Sequence, residues 1–354
     1  MKDKRLYKID AMRGFLMLLV VMEHSSTHIF KTFDGFSEVH TYMVYIVQFM
    51  MPAFFFICGY VLYRPDLTWR KEEIKILLRK KIKSQLISPI LFFLLYLFIS
   101  RIALVDGLYE YHKEGYWFTF TLFFFYILFS VVGLLFNSVK LKPIFKNVFL
   151  LLSGIGLFYL AHILCSFESI KNQTSLWGIF HWRYFIFMVL GYLTRQYRLL
   201  DKGRKTELIC GISIILYLIL NVFYKQIDNT HWSIAIMNLM LLGVFGTIIV
   251  YCFFSNYGEA IHSSRFGRSL QYIGQRTLGV YYINFLLLPV QLQYCTHFLV
   301  EYPMPLVELG LSFILAAINT IVCMIIYNVV YLCPPLGEFL FGRQYTPSRR
   351  EAEN

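Results

Sequence analysis

Long apolar runs, rather than alternating apolar and polar positions, dominate this chain. About ten of them approach the roughly 20 helical residues that cross a hydrocarbon core of about 30 Å. They fall at about residues 11–31, 41–63, 85–104, 117–138, 147–165, 177–194, 207–224, 232–254, 273–293 and 306–332. The pattern predicts an all-α polytopic membrane protein of about ten transmembrane helices. The connecting segments are short, no heptad or low-complexity stretch appears, and the two halves show no convincing repeat. One integral-membrane domain over 1–354 is expected, with a short cytoplasmic tail at about 334–354.

Charge then sets the orientation. Most of the 33 lysines and arginines sit in alternate loops. Lys2, Lys4, Arg5, Lys8 and Arg13 share one side with the run from Arg64 to Lys83, the cluster at Lys140, Lys142 and Lys146, that from Arg195 to Lys205, Arg265, Arg268 and Arg276, and Arg343, Arg349 and Arg350. Basic loops stay in the cytoplasm, so both termini are expected inside. The formal charge of +12 therefore reads as membrane topology, and no nucleic-acid partner is expected. Only 15% of residues are charged, against about a quarter in soluble domains.

The seven cysteines are scattered through apolar stretches, with neither a CxxC pair nor zinc-ligand spacing. They read as small hydrophobes, and no metal is expected. The first run is too long for a secretory h-region and lacks a small-residue cleavage site.

The chemistry concentrates in the first run, "DAMRGFLMLLVVMEHSSTH", Asp10 to His28. A charge in the bilayer core costs about 2.5–3.5 kcal/mol on insertion scales, so polar residues there face a partner or a cavity. Eleven residues of helix turn about 20° beyond three full turns and rise about 16.5 Å. Arg13 and His24 thus share a face, with His28 one turn further on. Glu23 is rotated about 100° away and is expected to reach another helix, orienting a histidine or neutralising an arginine such as Arg101 or Arg183. Asp10 is expected to cap the helix. By themselves these residues also fit a snorkelling arginine and a packing histidine.

Further signals join them. Arg13 and His24 follow an R-x10-H pattern within "IDAMRG…EH", and the second run ends in "PAFFFICGY", Pro52 to Tyr60. A basic loop, "LLRKKIKSQLISP", leads to Pro89, and "IGQRTLGVYYINF" spans Ile273 to Phe285. Together they resemble the membrane-bound acyltransferase-3 family, bacterial integral-membrane carbohydrate O-acyltransferases, over most of the chain. Two departures stand out. The histidine of the family's late segment is Asn284 here, so no catalytic role transfers to it. An arginine common before helix three has no clean counterpart among Arg79, Lys80, Lys81 and Lys83.

The resemblance implies transfer of an acyl group, usually acetyl, from cytoplasmic acetyl-CoA or another acyl-CoA to a carbohydrate hydroxyl, at the cell surface or lipid-linked. A multi-pass place in a bacterial cytoplasmic membrane is implied, among membrane lipids, with the acyl group either passed to a separate extracytoplasmic protein or placed directly on a lipid-linked sugar. No permanently bound cofactor is expected. His24 would be the reactive group, either as general base or as transient acyl carrier. Arg13 would hold CoA phosphates, aided by Arg79, Lys80 and Lys83, although plain inside-positive topology explains that loop as well. On the acceptor side stand His28, Asn284 and the "HWRYF" segment with His181, Trp182 and Arg183. Trp182 and Trp117 equally suit an interfacial belt, and Asn238, Asn284 and Asn319 equally suit interhelical hydrogen bonds. A transporter or flippase of lipid-linked sugars is the rival function.

Overall fold

The last long helix, Pro305–Val330, is inverted relative to a helix of a water-soluble protein. It buries Glu308, Ser312, Asn319 and Thr320 and exposes Ile314, Ile318, Ile321, Ile325 and Val329. Apolar surface outside and hydrogen-bonding groups inside is the arrangement that lipid solvation demands. The computed structural model describes residues 6–33, 41–65, 67–110, 112–139, 142–226 and 232–342. Lys2, Lys4, Arg5, Lys140, Arg343, Arg349 and Arg350 lie outside them, as does most of the expected tail.

Every regular element among the described residues is helical. The main ones are α1 (Tyr7–His24), α2 (Met43–Leu62), α3 (Lys71–Ile82), α4 (Ser88–Ser100), α5 (Trp117–Ser138), α6 (Pro143–Cys165) and α7 (Phe185–Tyr197). There follow α8 (Arg204–Gln226), α9 (Trp232–Asn256), α10 (Arg265–Gln275), α11 (Thr277–Asn284), α12 (Pro305–Val330) and α13 (Pro334–Phe341). Pro143 stands in the first turn of α6, where a missing N–H costs nothing, while Pro89 follows the π-helical stretch Lys83–Ile87 that joins α3 to α4 in one continuous helix. The Ser264 side chain accepts from the Gly267 amide and starts α10.

The all-α polytopic class holds. Among the described residues seven helices, α3 and α4 counting together as Lys71–Ser100, are long and apolar enough to cross a membrane, and the number is eight if the pair Glu168–Leu176 and Ile179–Tyr197, bent by 70°, forms one span. The first and ninth runs are helical but interrupted. After His24 the first widens into a π-helical segment, Ser25–Phe30, which ends at left-handed Lys31. The ninth stops as α11 and a short turn, Phe285–Leu287, because Leu288 is extended ahead of Pro289. Asp10 is not the cap of α1. The helix starts earlier, at Tyr7 behind Leu6, and Asp10 sits in its first turn, where a carboxylate still suits the helix dipole.

Internal contacts divide the chain into two units, the first holding the described residues of 6–54 and 200–329, the second those of 55–199 and 330–342. In the first unit α1 lies hard against α10. A Cβ added at Gly14 would stand 1.9 Å from the Leu270 carbonyl oxygen, and one at Gly274 1.7 Å from that of Asp10. Two glycines therefore let the backbones touch, a mode of packing that suits membrane helices. In the second unit Gly59 and Gly191 act likewise between α2 and α7, against Met188 and Phe56. An aromatic core of Phe55, Phe125, Phe129, Phe185 and Tyr184 fills that unit.

Candidate active site

The close α1–α10 contact determines what meets His24. Because α11 follows α10 directly, its last residue, Asn284, arrives beside the last residue of α1. Asn284 is 0% exposed, and its Oδ1 lies 2.7 Å from His24 Nδ1. The amide nitrogen of Asn284 donates to the carbonyls of Val280 and Tyr281, at 3.0 and 2.8 Å. Its oxygen is thus the group facing the imidazole, and an oxygen there accepts. Nδ1 of His24 therefore carries the proton, and the lone pair of the neutral ring is on Nε2.

Nε2 in turn faces Glu23, whose Oε2 is 3.5 Å away. Its Oε1 accepts from Thr27 at 2.9 Å, one turn on, so the carboxylate folds back along its own helix and covers the histidine.

His28 joins the same cluster. The rings of His24 and His28 both pack edge-on to Phe285, at 4.7 and 5.0 Å between centroids, and lie 6.2 Å apart. His24 borders and His28 lies within the π-helical segment, a departure from α geometry that often marks functional positions. Beyond Asn284 a relay of amides continues. Asn319 of α12 donates to the Asn284 carbonyl at 3.3 Å, and Cys323 donates to Asn319 at 3.2 Å. Asn284 and Asn319 thus do make interhelical hydrogen bonds, but the Asn284 side chain also orients the histidine. The absent family histidine hid this role from sequence reasoning.

Arg13 sits three turns back along the unbroken α1, half-buried, with Nη1 3.9 Å from Asp10. The sequence reading overlooked Glu308. It is 2% exposed and accepts from the hydroxyls of Thr32 and Thr41, each at 2.7 Å. A carboxylate inside the last apolar run was the signal that pointed to it. Ser26 lies 3.4 Å from both Tyr42 and Ser312, so a hydroxyl-rich cluster lies just beyond the histidines in the chain.

The remaining candidates belong to the second unit. Arg79 shares an open cleft with Lys71 and Lys75, floored by Ile74, Leu78 and Ile82. Lys80 and Lys83 are exposed, while Lys81 lies over the Tyr126 ring at 4.4 Å. His181 stacks on Trp117 at 3.8 Å, Trp182 on Phe124 at 5.3 Å, and Arg183 lies 3.6 Å over Phe180. These contacts knit the segment into its own aromatic surroundings.

The fold and site are those of a polytopic membrane protein whose first helix presents a buried histidine to an amide on one ring nitrogen and a carboxylate on the other. The chain belongs to the acyltransferase-3 family, whose model, an acyltransferase domain, matches residues 6–328. That match includes Arg13, Glu23, His24 and Asn284. No curated protein and no solved structure matches the chain. The protein is thus a membrane acyltransferase.

Proposed function

We propose that this acyltransferase moves an acyl group, acetyl in the simplest case, from cytoplasmic acyl-CoA to a hydroxyl of a cell-surface or lipid-linked carbohydrate. The observation that carries the reading is the oriented His24. With Nδ1–H held by Asn284, Nε2 is the nitrogen that takes a proton. The acceptor hydroxyl gives its proton to Nε2 while its oxygen attacks the thioester carbonyl. The C–S bond then breaks, and the proton passes from Nε2 to the departing CoA thiolate. Such positioned base catalysis supplies about 10²–10⁴-fold in rate.

Glu23 supports the general-base form of the step over an acyl-histidine. Its carboxylate lies on the Nε2 side, where the imidazolium N–H forms, and attraction there stabilises the charged ring. An acyl group on Nε2 would take the place of that contact. The distribution of lysine and arginine puts the start of α1 in the cytoplasm, and Arg13 with it. An arginine fork suits the phosphates of the donor. Arg79, Lys80 and Lys83 would attract the anionic donor. His28, bound to the same Phe285 edge as His24, is the acceptor-side residue best supported. The stacking of His181 and Trp182 within their own unit supports an anchoring role for that segment.

The protein would work in a bacterial cytoplasmic membrane, on a lipid-linked sugar directly or through a separate extracytoplasmic protein. The test is mass spectrometry of surface glycans from deletion, wild-type and His24→Ala strains. Acyl groups present with the wild type and lost in both other strains are expected. Normal acylation with correctly inserted His24→Ala protein would overturn the assignment of His24.

A further inference from the structure

Arg276 counts in the sequence as one more inner-loop cation, yet it is 3% exposed. It stands between α10 and α11, two residues past Gly274, where the chain touches the first turns of α1. Its guanidinium carbon lies 3.9 Å from the centre of the Tyr272 ring. That ring is itself held by Asn328, which donates to the Tyr272 hydroxyl at 2.9 Å. Nε, Nη1 and Nη2 of Arg276 are all buried and have no hydrogen-bond partner among the described residues. No described acidic side chain lies within ion-pair distance of it, and the nearby Asp10 is engaged with Arg13.

A buried charge without a partner is a strong departure from what folding tolerates. The geometry also says what is missing. Stacking covers one face of the guanidinium and leaves its edge, with the N–H fork, for a ligand. The planar fork of N–H donors matches the oxygens of a phosphate group. The same end of the α1–α10 pair carries Arg13, so two arginines stand against one aspartate there. The local balance favours a ligand bearing more than one negative charge.

We propose that Arg276 is the principal counter-charge for a phosphate group bound at this end of α1. Its chemistry follows from Arg276 alone. Its source, the phosphates of the CoA donor, rests on the acyl-transfer reading, and a phospholipid headgroup offers the same chemistry.

The experiment uses full-length protein in nanodiscs. In phosphatidylcholine discs, calorimetry measures binding of coenzyme A and of pantetheine, which lacks phosphate, to wild type, Arg276→Gln and Arg276→Lys. Coenzyme A binding is expected to weaken about tenfold or more in Arg276→Gln and about threefold or more in Arg276→Lys, which keeps the charge but loses the fork. Pantetheine binding should be equal in all three. A second arm replaces part of the lipid with phosphatidylglycerol. A melting temperature that rises with anionic lipid in wild type, but not in either Arg276 variant, assigns the phosphate to a headgroup. Wild-type behaviour of both variants in both arms overturns the proposal. Should Arg276→Gln fail to fold, Arg276→Lys decides by the same criteria. If the wild type acylates nothing yet binds phosphate through Arg276, only the acyl-transfer reading falls. If it acylates and both variants bind as wild type, only this inference falls.

Discussion

Asn284 Oδ1 accepts the Nδ1–H of His24 across 2.7 Å, and the two residues are 260 positions apart in the chain. An amide whose nitrogen is committed to two backbone carbonyls cannot turn its donor toward the ring. The ring therefore keeps one tautomer, and Nε2 is poised on the side of Glu23.

This relationship makes Asn284 a positioning residue. In Asn284→Ala the imidazole loses its acceptor, and both tautomers become populated. Acyl transfer, followed as release of free CoA, is expected to fall by about 10–10²-fold, part of the gain that a well-placed base supplies. KM for the donor should stay as in wild type, because Asn284 does not touch it in the proposed reaction. Asn284→Asp, which keeps an oxygen at the same place, should recover much of the rate. A variant whose KM rises while kcat holds would show that Asn284 serves donor binding instead.

The α1–α10 seam predicts an intolerant glycine. Gly274→Ala would press a methyl into the Asp10 carbonyl oxygen at 1.7 Å, a backbone atom that cannot step aside. Overpacking of this kind costs about 1–3 kcal/mol or more, and it also moves Asn284 away from His24. Loss of both thermal stability and transfer is expected. Gly211→Ala serves as the control, since nothing lies within 4 Å of a Cβ there. Its melting temperature should match or exceed that of wild type, because alanine favours helix over glycine by about 1 kcal/mol.

Glu308 supplies the acceptor for two buried threonine hydroxyls from the first turn of α12. Glu308→Ala leaves both without it, at about 1–3 kcal/mol each. Glu308→Gln retains one side-chain oxygen and is expected to lose less. Melting curves in detergent should rank wild type above Gln above Ala. Equal curves for all three would remove the structural role assigned to this carboxylate.

Lys113 gives a pH-dependent prediction outside the spans. Its amine donates to the carbonyls of Leu108, Glu110 and Ser175. Burial pulls its pKa down to about 8, against a weaker upward pull from Glu110. An unfolded lysine keeps its proton to about 10.4. Between these values the unfolded state binds more protons, so stability rises with pH across that window. The melting temperature of wild type should therefore gain on that of Lys113→Met from about pH 8 to 10, and the difference should be flat below pH 7. A gain that instead appears on acidification would contradict the burial of this amine.

The sequence by itself determined the solvent and the kind of element. Runs of about 20 apolar residues leave lipid-solvated helix as the stable form, because every backbone polar group must be satisfied within the segment. It also placed Arg13, His24 and His28 along one helix, since helical spacing is a local property. Where a run was interrupted, as at Ser25–Phe30 or Leu288, local apolarity could not reveal the break. Only the tertiary structure brought Asn284 to His24, through two glycines that let α1 and α10 touch. It alone showed Glu23 Oε2 beside His24 Nε2 and enclosed Arg276, which the sequence shows only as one more loop cation. These are contacts between residues distant in the chain, or rotamers chosen by their neighbours, and neither leaves a mark in the periodicity of a single segment.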